Sequence, residues 1–63
     1  MVFKLRIEMD NASFEDGSNG VEVASILRKL AFKLADEELE EGDRFPLIDT
    51  SGNKVGVAVI QLD

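Results

Sequence analysis

A small α+β fold in the order strand, helix, strand, strand is what the sequence predicts, on three observations. Apolar and charged residues alternate near the N-terminus, apolar residues recur at three- and four-residue steps through the middle, and two apolar runs near the C-terminus flank a glycine turn. The 63 residues read as one domain, 1–63, since no linker, repeat or low-complexity tract separates these segments.

The first strand spans Val2 to Met9, with Phe3, Leu5, Ile7 and Met9 on one side and Lys4, Arg6 and Glu8 on the other. The following DNASFEDGSN, Asp10 to Asn19, is a loop, because Asn, Asp and Ser bond to nearby backbone and Gly permits positive φ. Phe14 is expected to fold back onto the core. Asn19 followed three positions later by Glu22 matches a capping box, which satisfies the orphan N–H groups of a helix start near Gly20. Val23, Ala24, Leu27, Leu30, Ala31 and Leu34 then share one face of a helix expected to run to about Leu39, with Gly42 near its stop.

Phe45 to Ile48 makes a short strand, and Pro46 marks it as an edge because proline has no N–H for a central ladder. Asp49 to Asn53, DTSGN, is a hairpin turn leading into a last strand from Lys54 to Leu62. A right-handed crossover makes the first two strands parallel, and the hairpin reverses the third. The most apolar strand is the third and belongs in the middle, so the predicted sheet has order 1-3-2 with antiparallel neighbours and the helix on one face. The expected core is Phe3, Leu5, Ile7, Leu27, Leu30, Leu34, Val57 and Val59. Strand three offers Val55, Val57 and Val59 to one side and Ala58, Ile60 and Leu62 to the other, so an apolar face is left for a second occupant.

Composition excludes more than it assigns. With no His and no Cys there is no imidazole base, no thiolate nucleophile, no ordinary zinc site and no disulfide, and a reducing cytoplasmic home is expected. No apolar run reaches the roughly 18 residues of a membrane span. Seven Lys and Arg against 13 Asp and Glu give a net charge of −6, and all the aromatic residues are Phe, so phosphate is repelled and base-stacking Tyr or Trp is lacking. Direct nucleic-acid binding is therefore not expected. The oxygen-rich stretch from Asp16 has Val21 where a calcium loop needs its sixth-position glycine, and no metal or cofactor is expected. Carboxylate-only hydrolysis needs a cleft that so short a chain has little room to build, so the expectation is a non-enzyme.

Two features depart from a plain solvated surface. Asp36, Glu37, Glu38, Glu40, Glu41 and Asp43 crowd a predicted helix C-terminus, where the macrodipole disfavours negative charge. Glu37, Glu38, Glu40, Glu41 and Asp43 are accordingly candidates for a phosphate-like surface that meets a basic protein. Phe32 falls on the predicted solvent face beside Ser25 and Lys29, which makes it a candidate partner contact. Phe32, Ala58, Ile60 and Leu62 are the candidates for self-association, and a homodimer is expected because a domain of this size hides only about 60% of its unfolded surface.

The segments FKLRIEMDNASFED, EVASILRKLAFKLADE and LIDTSGNKVG together resemble a group of small bacteriophage and prophage accessory proteins. The resemblance implies an accessory protein of a phage or mobile element that binds, and modulates or inhibits, a host protein, including by imitating nucleic acid. The alternative is a homo-oligomeric structural or assembly subunit without inhibitory activity.

Overall fold

Alternation, helical spacing and turn chemistry each become an element in the computed structural model, which describes residues 1–15 and 17–62. Strand β1 is Val2–Ile7, a 3-10 turn covers Ala12–Phe14, helix α1 is Asn19–Leu34, and strands β2 and β3 are Arg44–Ile48 and Lys54–Gln61. The sheet order is β1-β3-β2 with both pairings antiparallel, as the burial of the third strand requires. No helix among the described residues is long and apolar enough to cross a membrane.

Helix α1 packs on β2 and on the 3-10 turn. Phe45 and Leu47 alternate inward from β2 and meet Phe14, Ile26, Leu30, Val55, Ala58 and Ile60, with Ile7, Val23, Leu34 and Leu39 half-buried around them. The expected core is therefore corrected in three places. The buried helix stripe is Glu22, Ile26 and Leu30, one position from the expected Leu27, which is exposed. Phe3 and Leu5 point to the helix side of the sheet, yet the helix sits over β2 and leaves them exposed. Val57 and Val59 lie on the opposite face, because each pairs with a charged residue of β1, Arg6 and Lys4.

A bulge explains how β3 divides its residues. Leu47 pairs with Gly56 and Ile48 with Lys54, so Val55 is the extra residue. It turns toward the helix with Ala58 and Ile60 instead of joining Val57 and Val59. The expected self-association contacts Ala58 and Ile60 are thereby placed under the chain's own helix.

Both helix ends also differ from expectation. Ser18 occupies the N-cap position, its carbonyl accepting from Glu22 N–H at 3.2 Å, and Asn19 is already helical. The helix stops at Leu34, where the N–H groups of Asp36 and Glu37 turn back to the carbonyls of Lys33 and Leu34 at 3.3 and 3.0 Å. Continuing to Leu39 would have set Asp36, Glu37 and Glu38 in the last turn, at the negative end of the dipole. The acidic run is a connector instead, and Leu39 within it packs against the core.

Candidate functional site

The described residues bury two carboxylates, and both serve the hairpin turn. Asp49 accepts the backbone N–H groups of Ser51 and Asn53 at 3.0 and 2.8 Å on one oxygen. Its other oxygen accepts Asn11 Nδ2 at 2.8 Å, Ser13 Oγ at 2.9 Å and Asn53 Nδ2 at 3.4 Å. Burial alone would raise its pKa, but the donors from Asn53, Asn11 and Ser13 outweigh it and hold the carboxyl at about 2, below the ordinary 3.8. Glu22 takes Thr50 N–H at 2.8 Å and Thr50 Oγ1 at 3.0 Å. It thus ties the helix start to the turn, whereas the capping box would have bent it back to Asn19. Asn11 Oδ1 also accepts Ser13 N–H at 3.0 Å. This cluster fastens the first loop, the helix and the hairpin together, and its acceptors are occupied by those contacts. Held ionised by these donors, Asp49 is a weak base, and its bonds tie the first loop to the hairpin.

The chemistry left for a ligand is on the open face of the sheet. Cross-strand pairing places Lys4 and Arg6 of β1 and Arg44 and Pro46 of β2 beside Val57 and Val59 of β3. A shallow groove there is lined by Lys4, Leu5, Arg6, Val57, Val59 and Gln61, and Lys54 borders the continuation toward Glu8 and Gly56. Lys4, Arg6, Arg44 and Lys54 are more than half of the chain's 7 Lys and Arg, gathered on one face of a molecule whose net charge is −6. Arg6 pairs with Glu8 at 3.5 Å; among the described residues the other three make no ion pair. A half-buried valine strip with a cationic border can hold an acidic surface.

Comparisons with protein-family models, curated proteins and solved structures find no match.

Phe32 is 81% exposed on α1, and Asp36, Glu37, Glu38, Glu40 and Glu41 are exposed in the connector with no ion pair among the described residues. Asp43 differs from its neighbours. Its carboxylate accepts Glu40 N–H at 2.9 Å and its carbonyl accepts Ile60 N–H at 3.0 Å, so it shapes the entry to β2. Leu62 is exposed beyond β3, separate in role from buried Ala58 and Ile60. Asp16, the start of the oxygen-rich stretch, lies outside the described residues. Sequence reasoning missed the cationic face. The available signal was the pairing of Lys4 and Arg6 on one side of the first strand with Arg44 at the start of the second, once strand three lies between them.

Proposed function

We propose that the chain is a small non-enzymatic protein-binding module that holds an acidic partner surface against the open face of its sheet. The observation that carries this is the half-buried Val57 and Val59 strip on the open sheet face, bordered by Lys4, Arg6, Arg44 and Lys54. Charge supplies steering and orientation, and the valines supply area to bury. A face without an aromatic residue lacks the stacking platform that single-stranded nucleic acid uses, which favours a protein partner.

A second reading takes the acidic connector and Phe32 as the contact for a basic protein, nucleic-acid mimicry included. The exposure of Asp36, Glu37, Glu38, Glu40 and Glu41, with no ion pair among the described residues, favours it. In both readings the chain works by occupying a partner, the mode expected of a phage or mobile-element accessory protein that modulates a host protein. As a structural subunit it would capture only copies of itself.

Three baits discriminate: the unaltered chain, Lys4→Ser/Arg6→Ser/Arg44→Ser, and Glu37→Gln/Glu38→Gln/Glu40→Gln/Glu41→Gln. Each is used to retrieve proteins from bacterial extract at low salt. A partner lost only with the serine variant supports the sheet face, and one lost only with the glutamine variant supports the connector. Retrieval of nothing but the chain itself overturns both.

A further inference from the structure

We infer that the outer edge of β1 pairs with a second copy of this chain, whose own β1 lies antiparallel to it across a twofold axis at Leu5. The Glu8 N–H donates to the Val55 carbonyl at 2.7 Å, which sets the phase of the β1–β3 ladder. In an antiparallel ladder the residues alternate between facing the partner strand and facing away. Val2, Lys4 and Arg6 therefore turn their backbone groups to β3, while Phe3, Leu5 and Ile7 present N–H and C=O to the outside. Among the described residues no strand lies on that side.

The same three residues carry apolar side chains on the helix side of the sheet. Phe3 and Leu5 are 43% and 39% exposed there, and Leu27 of the helix is 41% exposed. One strip thus offers unsatisfied backbone and uncovered apolar area together. The opposite edge is built otherwise. Asp43 C=O bonds Ile60 N–H, so the alternation turns Arg44, Pro46 and Ile48 outward, and Pro46 has no N–H to offer. Proline blunts that edge; β1 has no proline, and its charged residues Lys4 and Arg6 turn their backbone groups to β3, not to the open edge.

A second copy fits this strip in register. With Leu5 opposite its counterpart, Phe3 meets Ile7 and Val2 meets Glu8 of the other copy, and the outward residues coincide as hydrogen-bonded pairs. Size supports a missing neighbour. The chain exposes 4466 Å², whereas a globular monomer of this mass exposes about 4,000 Å². The excess of about 450 Å² exceeds half of the ~800 Å² that each partner contributes to a standard interface. The radius of gyration, 12.4 Å, is likewise above the roughly 11 Å expected for this length.

Pairing has an electrostatic signature. It sets Lys4 against Arg6 of the other copy on the open face, so screening by salt must tighten the dimer. It also joins the two cationic faces into one surface. The pairing goes beyond the proposed binding role and is tested without any partner.

Sedimentation equilibrium from micromolar to millimolar concentration, at low and high salt, is the test, with amide exchange read per residue. The expected result is a dimer that tightens with salt and that protects the amides of Phe3, Leu5 and Ile7 in a concentration-dependent way. Lys4 and Arg6 amides, already in the β3 ladder, serve as the concentration-independent control. Leu5→Lys, checked for a retained fold by circular dichroism, should raise the dimer Kd at least about tenfold by placing charge on the edge. Leu5→Pro removes an outward N–H without removing a bond to β3 and should do the same. A monomer at all concentrations, exchange at Phe3, Leu5 and Ile7 that ignores concentration, a dimer indifferent to both variants, or one that loosens with salt would overturn the inference.

Discussion

At the scale of single residues, Asp49 and Gly56 hold positions that no other residue type fills equally well. Because Asp49 is held at about 2 against 3.8, its ionised form is preferred in the folded state. Its stabilisation is complete above 3.8 and is lost as the pH falls through that value toward 2. Asp49→Asn puts an amide donor among five donors, so it should melt lower at neutral pH and show a flatter acid limb between pH 3.8 and about 2 than the unaltered chain. Thermal melts across that window check both statements. At Gly56 an added Cβ would collide with the Arg6 carbonyl oxygen and approach Arg6 C at 2.9 Å and Ile7 Cα at 3.0 Å. Those are backbone atoms that cannot swing aside. Gly56→Ala should therefore cost about 3 kcal/mol in urea titration, with β1 amides losing protection first.

At the scale of elements, the helix shows how far pattern reading reaches. Its existence was legible from the apolar spacing and its start, to within one residue, from the Asn19–Glu22 pattern, although Ser18 takes the cap; the strand order was legible from the apolar third strand and the edge from Pro46. The buried face was legible only in part: Val23, Leu30 and Leu34 pack on the core as expected, but Ile26 and the first buried member, Glu22, were not read there. Periodicity that treats every acid as solvent-facing rotates the face toward Leu27, and only the Thr50 hydrogen bonds, made across 28 positions, justify burying a carboxylate there. The division of β3 was hidden for a related reason. Strict alternation groups Val55 with Val57 and Val59, and the single bulge separates them. Gly56, an isolated glycine in an apolar strand, was the visible sign of it. The corrected face makes a direct prediction. Ile26→Ala and Leu30→Ala should each destabilise by about 2–5 kcal/mol, Leu27→Ala by less than about 1 kcal/mol, and Phe32→Ala by no more than about 0.5 kcal/mol in dilute chemical denaturation. Equal losses for Ile26→Ala and Leu27→Ala would place the helix in the wrong rotation.

At the scale of the whole molecule, the fold sorts its charge: cations border the open sheet face, and the connector from Asp36 to Asp43 is acidic without ion pairs among the described residues. Such sorting was partly legible. The acidic run is contiguous in sequence, whereas the cationic face exists only after the third strand inserts between the other two. Self-repulsion within the connector, together with a net charge of −6, opposes compaction over a range set by the Debye length, about 10 Å at 0.1 M salt. Glu37→Gln/Glu38→Gln/Glu40→Gln/Glu41→Gln removes this repulsion at exposed positions that make no side-chain contact in the core. The variant should melt a few degrees higher than the unaltered chain at low ionic strength, since a gain of about 0.5 kcal/mol shifts a domain this size by roughly 2–4 °C. The difference should vanish near 1 M salt, where screening extends only about 3 Å. Melting curves at both ionic strengths decide it. A lower melting temperature at low salt would mean that the connector's carboxylates engage the chain's own cations, and the acidic segment would then be an internal brace, unavailable to a partner.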